Sequence, residues 1–281
     1  MRSIEYGKIA DAVRDMCLES NYDLPDDVRA CLNDALTKEE SPLGRSILRQ
    51  CLDNAAIAGN ERVPICQDTG LAVFFVRLGA DVRIEGGILP DAINEGVKRG
   101  YREGCLRKST LDDPLFARAN TGDNAPAVIH LELVPGDGLE ITMAPKGGGA
   151  ENMSRLKMLP PSAGEQGVID FVAGTVVEAG GNPCPPTVVG VGIGGTFERV
   201  ALLAKKALLW PLGRANDDPR YAALEQKILR RINDSGVGPQ GLGGSTTSLW
   251  VHIEHAPCHL ASLPAAVNIN CHAHRHAHRA L

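Results

Sequence analysis

Three of the eight cysteines stand in stiff, polar turns where a thiol is not ordinarily hidden. They are Cys66 in Pro64-Ile65-Cys66-Gln67-Asp68-Thr69-Gly70, Cys184 in Asn182-Pro183-Cys184-Pro185-Pro186, and Cys271 in Asn268-Ile269-Asn270-Cys271-His272. Proline and turn-forming residues set the backbone direction before any ligand arrives, so these thiols are aimed rather than packed. Three aimed thiolates without a fourth describe a metal centre with one open position, where a substrate can be activated. The turns lie far apart in the chain, unlike the close C-x2-C clusters of zinc and ferredoxin-type sites, so their local context alone carries this reading.

Two glycine-rich runs add to the inventory. In Lys146-Gly147-Gly148-Gly149-Ala150-Glu151-Asn152 the consecutive glycines let successive N–H groups turn toward an anion, and the flanking lysine and Glu-Asn favour that use over a plain hinge. Gly190-Val191-Gly192-Ile193-Gly194-Gly195 matches G-x-G-x-x-G, but the following region, Trp210-Pro211-Leu212-Gly213-Arg214, offers neither the second strand nor the acid that a dinucleotide fold needs. It is read as a decoy whose helix N-terminus is still suited to a carboxylate.

The elements that must position these groups follow from periodicity. Val28, Cys31, Leu32, Ala35 and Leu36, then Ile47, Leu48, Cys51, Leu52 and Ala55, form helical stripes, and Ser41-Pro42 supplies an N-cap with a first-turn proline. Cys17, Cys31 and Cys51 fall on or near these stripes and are expected to pack in the core. Strands are expected at Leu71–Leu78, Thr187–Ile193, Leu249–Ile253 and Ala261–Val267. Helices are expected at Leu89–Tyr101, Val168–Glu178, Thr196–Leu209 and Ala222–Ile232. Pro135-Gly136-Asp137-Gly138 between two apolar runs reads as a hairpin turn. The fold class is α+β: a helical segment over residues 1–60, then mixed sheets packed with helices in a single compact unit. The histidine-rich end, His272 to His278, would as a helix pair His272 with His276 and His274 with His278, a possible metal clamp; a frayed, solvated terminus is the reading adopted.

Composition excludes several classes. A net charge of −5 and 4% aromatic residues leave no basic footprint and few stacking platforms for nucleic acid. No apolar run reaches the ~20 residues that span a bilayer, and Met1 to Tyr6 lack the apolar core of a signal peptide, so a cytoplasmic location with reduced thiols is expected.

Taken in order along nearly the whole chain, Cys66-Gln67-Asp68-Thr69-Gly70, the Lys146–Asn152 run, Asn182–Pro186 with Gly190–Glu198, and Ser262-Leu263-Pro264 through Asn270-Cys271 resemble the iron-sulfur hydro-lyases. More narrowly, they are similar to the alpha subunits of class I fumarate hydratase and L(+)-tartrate dehydratase. The resemblance implies one catalytic domain over 1–281 and a 4Fe-4S cluster held by Cys66, Cys184 and Cys271, with one iron open to a small dicarboxylic 2-hydroxy acid. It further implies polar groups Gln67 and Asp68 near the departing hydroxyl, and Arg107 clamping a carboxylate. Gly148 and Gly149 would lie against the substrate, with His259 in the active site. Cys105 and Cys258 have no ligand role in it and are read as structural.

Single-chain relatives carry a further domain with arginines and acid-base residues. A separate beta subunit in a hetero-oligomer is therefore expected to complete the site. The first expectation for activity is the malate–fumarate interconversion of a two-subunit fumarate hydratase. The alternative is dehydration of L-tartrate to oxaloacetate, and from other classes a non-catalytic metal scaffold or a dinucleotide enzyme.

Overall fold

In the computed structural model, which describes residues 2–281, the apolar stripes of the N-terminal segment become α1 (Tyr6–Tyr22), α2 (Asp26–Lys38) and α3 (Pro42–Glu61), preceded by the short strand β1 (Arg2–Glu5). Ser41 caps α3 as its sequence promised, its Oγ accepting the Gly44 N–H at 3.1 Å. Then follow β2 (Leu71–Gly79), β3 (Val82–Glu85), α4 (Leu89–Glu103), β4 (Val128–Val134), β5 (Leu139–Lys146), the single turn α5 (Gly148–Glu151) and β6 (Arg155–Leu159). The remainder comprises α6 (Gly164–Ala179), β7 (Thr187–Gly194), α7 (Phe197–Ala207), α8 (Pro219–Asn233), β8 (Ser248–Ala256), β9 (Leu263–Asn270) and β10 (Ala277–Ala280). The class is α+β, and the chain divides into two compact units.

The first unit comprises residues up to Leu24, Ala55–Gly148 and Arg275–Leu281. Its sheet has the order β10-β5-β2-β4, with β2 parallel to β4 and antiparallel to β5. Alternate residues Phe74 and Val76 of β2 and Ile141 and Met143 of β5 bury against Ile9, Val13 and Met16 of α1 and Ile93 and Val97 of α4. Each such fully buried aliphatic or aromatic side chain contributes about 1.5–3 kcal/mol. The Pro135–Gly138 turn does join β4 to β5, yet the two strands are not a hairpin, because β2 lies between them. Turn residues signal a reversal of direction; strand order follows burial, and β2, far more buried than β4, takes the central place.

The tail departs from expectation in the same unit. Neither helical nor frayed, residues 277–280 pair antiparallel with β5, Ala277 opposite Met143 and Ala280 opposite Glu140. An open edge of β5 and the small apolar Ala277, which is buried, account for the ordering.

The second unit, Pro25–Asn54 with Gly149–His274, is built on a sheet of order β6-β9-β7-β8. Val189, Val191 and Ile193 of β7 face Val172 and Val176 of α6 and Ile228 and Ile232 of α8. The opposite face of β7 carries Gly190 and Gly192, where an added Cβ would come within 2.1 Å of the Ala204 carbonyl oxygen and 2.2 Å of that of Val200. The glycines of the apparent dinucleotide fingerprint thus serve to let the α7 backbone lie directly on the sheet.

Candidate active site

Cys66 begins a turn that the first unit holds from several sides. The Asp68 N–H points at the Cys66 Sγ, 3.4 Å away, and that sulfur also lies 3.3 Å from the Gln67 Oε1. The Asp68 carboxylate accepts the Gly70 N–H through Oδ1 at 3.0 Å and the Gly148 N–H through Oδ2 at 2.7 Å, a charge-assisted bond of about 1.5–3 kcal/mol. The glycine run therefore does turn an N–H toward an anion, and that anion is the protein's own. A Cβ on Gly147 would stand only 3.2 Å from Asp68 Oδ2, which is the reason a bare glycine sits there.

Beneath this face the backbone carbonyls of the turn are taken by buried donors. Tyr101 donates its hydroxyl to the carbonyls of Thr69 and Gly70 at 2.9 and 3.0 Å. Asn124, fully buried, donates Nδ2–H to the Gly70 carbonyl at 3.2 Å, and Arg275 donates Nη2–H to that of Asp68 at 2.6 Å. Thr69 in turn donates its hydroxyl to the Arg107 carbonyl at 2.8 Å, which fixes the backbone of Arg107 while its side chain stays exposed.

In the second unit the other two thiols come together. β7 and β9 pair with Val188 opposite Asn270, so Cys184 and Cys271 both lie just beyond that end of the ladder. The Cys184 carbonyl accepts the His272 N–H at 3.2 Å, with the His272 ring Nδ1 at 3.1 Å. Cys184 itself is exposed and adopts a φ of +54°, a left-handed conformation that a residue with a Cβ takes only where its surroundings impose it. Gln240 anchors the same turn, its backbone and side-chain N–H groups both donating to the Pro185 carbonyl at 2.8 Å. Glu151 ties the end of the glycine run to β9, accepting from Asn268 at 2.8 Å and Lys205 at 2.6 Å.

A third thiol stands beside this pair. Cys51 on α3 is half-buried, and burial, reinforced by the nearby charges of Cys271 and Cys184, pushes its thiol up to about 11. Its stripe position suggested plain core packing; the structure instead places it next to the two candidate ligands, held in its neutral form. Among the described residues no three of His, Cys, Asp and Glu gather as ligands to a single ion. A four-iron cluster takes one thiolate on each of three irons, so its ligands need not meet at one point.

His259 is placed elsewhere. Along β7 and β9 the pairing runs from Val188 with Asn270 to Ile193 with Ala265, and the turn carrying His259 lies beyond the second end. At ~3.3 Å per residue the ladder separates it from the cysteine pair by roughly 20 Å. There His259 is exposed, its Nδ1 accepts the Ala261 N–H at 3.2 Å, and it lines an open cleft of about 610 Å³ with Arg199 and Phe197 at the start of α7. The strand expected at Ala261–Val267, here β9 (Leu263–Asn270), stands between His259 and Cys271 and sets the two apart. Of the two cysteines without a ligand role, Cys105 and Cys258 are both exposed, the latter donating its thiol to the Ser262 carbonyl at 3.3 Å.

Reasoning from residues alone missed Tyr101, Asn124 and Arg275, which hold the Cys66 turn, and His272 and Gln240, which hold that of Cys184. Only Arg275 and His272 left a trace, in the histidine-rich run that was assigned to a frayed end.

The chain belongs to the fumarate hydratase (Fumerase) family, whose model matches residues 10–280. It is 42% identical over 275 residues to the putative L(+)-tartrate dehydratase subunit alpha of Methanocaldococcus jannaschii, covering 96% of each chain. It is 34% identical over 270 residues to the L(+)-tartrate dehydratase subunit alpha of Escherichia coli strain K12, covering 95% of this chain and 89% of the relative. The same subunit of Escherichia coli strain UTI89 is 35% identical over 271 residues.

Proposed function

We propose that this chain is the cluster-bearing alpha subunit of a two-subunit hydro-lyase of the L(+)-tartrate dehydratase type, acting on a small dicarboxylic 2-hydroxy acid. Residues 1–281 act as its catalytic domain, and a beta subunit completes the site. The observation that carries this reading is the near full-length similarity to relatives named as tartrate dehydratase alpha subunits, at 34–42% identity in the three cited. It moves the assignment from malate–fumarate interconversion, the first expectation from the sequence, to its alternative. Fumarate hydratase activity stays the second reading because the family is named for it.

Cys66, Cys184 and Cys271 fit a 4Fe-4S cluster by their donor chemistry: all are thiols outside any disulfide, none is fully buried, and each sits in a turn held by backbone hydrogen bonds. When bound, such a cluster supplies a Lewis acid that makes hydroxide a tolerable leaving group. The chain's own residues do the remaining work proposed here. Asp68 and Gln67 stand beside the Cys66 ligand, where they orient the departing hydroxyl and its proton. Arg107 offers a planar fork for one substrate carboxylate. Gly148 contributes through Asp68, since its N–H is already engaged there, and Gly149 leaves room for substrate by having no side chain. His259 is left out of the site of its own copy by its distance from the cysteine pair.

A cytoplasmic location fits eight cysteines that form no disulfide, and no helix is long and apolar enough to cross a membrane among the described residues. The test is anaerobic co-expression with the partner subunit, iron and sulfide analysis, and assays on L-tartrate, D-tartrate, malate and fumarate. About four irons and four sulfides per alpha chain with turnover of L-tartrate is the expected result. One zinc per chain without turnover would support a metal scaffold instead.

A further inference from the structure

Arg275 sits in the first unit just before β10, and only 4% of its surface is exposed. Its Nη2–H donates to the Asp68 carbonyl at 2.6 Å, whereas Nε and Nη1, equally buried, meet no acceptor among the described residues. The neighbouring carbonyls of the same turn, those of Thr69 and Gly70, are served by neutral donors, the Tyr101 hydroxyl and the Asn124 amide. One more carbonyl needed no more than that. A guanidinium, always ionised and stripped of most of its hydration, is an expensive way to hold one oxygen. Such departures from economical packing are expected where function is set.

We propose that Arg275 is a positioning residue of the hydro-lyase site, holding the Asp68 peptide from beneath so that the Asp68 carboxylate and the Cys66 thiol keep their direction. The inference rests on the reading of Cys66 and Asp68 as site residues. The route is short. Asp68 is gripped at three points: its carbonyl by Arg275, Oδ1 by Gly70 and Oδ2 by Gly148. Removing the first loosens the backbone at Asp68, which carries both the carboxylate and the N–H that faces Cys66 Sγ. β10, by pairing with β5, is what brings the arginine under the turn.

The comparison is among wild type, Arg275→Met and Arg275→Lys, the last keeping the charge and a donor. In the cluster-free chain, alkylation of individual thiols by iodoacetamide is followed by mass spectrometry, with the core residue Cys17 reporting on global folding. The expected result is a Cys66 rate changed at least threefold in Arg275→Met, with Cys17 still protected, and restored to within twofold of wild type in Arg275→Lys. In the cluster-loaded complex, kcat per cluster should fall by about 10- to 100-fold in Arg275→Met with KM within threefold, and Arg275→Lys should recover most of it. Wild-type Cys66 labelling and kcat in Arg275→Met, or equal losses in the methionine and lysine variants, would overturn the proposal. Should Arg275→Met expose Cys17, Arg275→Gln carries the same comparison. A wild-type complex that turns over none of the four acids sinks the functional reading alone, because the thiol labelling does not depend on turnover.

Discussion

Asp68 and Gly148 are joined by a 2.7 Å bond from the Gly148 N–H to the Asp68 carboxylate, so the glycine run and the Cys66 turn of the first unit form one device. A carboxylate caught between two backbone donors has its direction fixed before substrate arrives, which lowers the reorganisation needed during reaction. The small residue at position 147 is the space that permits it. A methyl group there would press on Oδ2 at 3.2 Å. Gly147→Ala is expected to lower kcat by about 10- to 100-fold while leaving thermal unfolding within a few degrees of wild type. Steady-state kinetics beside a melting curve check this; unchanged kcat would separate the glycine run from Asp68.

Among the cysteines, environment separates the proposed ligands from a bystander. Cys184 is exposed on a forced left-handed turn and Cys271 is half-exposed beside it, whereas Cys51 is held protonated by burial. Cys66→Ser, Cys184→Ser and Cys271→Ser are each expected to lose most bound iron and the brown absorbance. Cys51→Ala and Cys258→Ser should keep both. Iron and sulfide analysis after anaerobic purification reads the outcome, and loss of the cluster from Cys51→Ala would make that thiol a ligand.

How much of this was legible in the chain varied with the range of the interactions. The helices of residues 1–60 and the β7–α7 junction were readable because apolar period, caps and glycines are local. The partnership of β4 with β2 rather than β5 was not, since turn chemistry carries no information on which strand intervenes. The histidine-rich end was misread for a related reason. Its order comes from the open edge of β5, over a hundred residues earlier, and from a buried arginine whose partner is a carbonyl in the Cys66 turn. The turns that carry Cys66, Cys184 and Cys271 were legible from proline and polar residues, and so was a strand after His259; that this strand runs along β7 away from the cysteine pair depended on a pairing that no local signal carries.

A buried imidazole gives the second unit an acid sensitivity. His252 on β8 is 1% exposed, packed between the rings of Trp210 and Trp250 with centroids 6.0 Å away in each case. Burial holds it neutral, with a pKa lowered to about 4 from an ordinary 6.5. The folded state disfavours the proton, so the stability associated with the neutral ring is fully present above pH 6.5 and is lost as pH falls from there toward 4. The full difference is on the order of 3 kcal/mol. Melting temperatures measured from pH 7.5 to pH 4.5 should fall less steeply for His252→Phe than for wild type; parallel curves would show that another group governs the acid limb.

Arg107 is the one arginine that the resemblance assigns to clamping a substrate carboxylate, and a dicarboxylic acid has a second carboxylate to hold. The proposed beta subunit would supply that clamp and the remaining acid-base groups. Loss of a positioned acid or base typically reduces rate by about 10²–10⁴-fold, and loss of substrate clamps reduces it further. Purified alone without oxygen, the alpha chain should therefore carry cluster yet turn over L-tartrate at no more than about a thousandth of the rate of the reconstituted pair. Adding beta subunit should restore turnover in a saturable way. Air should then inactivate the pair, and ferrous iron with a reductant should recover it, as an iron without a protein thiolate is the one most easily lost. Full activity of the alpha chain alone, or a pair indifferent to prolonged aeration, would remove the open iron corner from the reading.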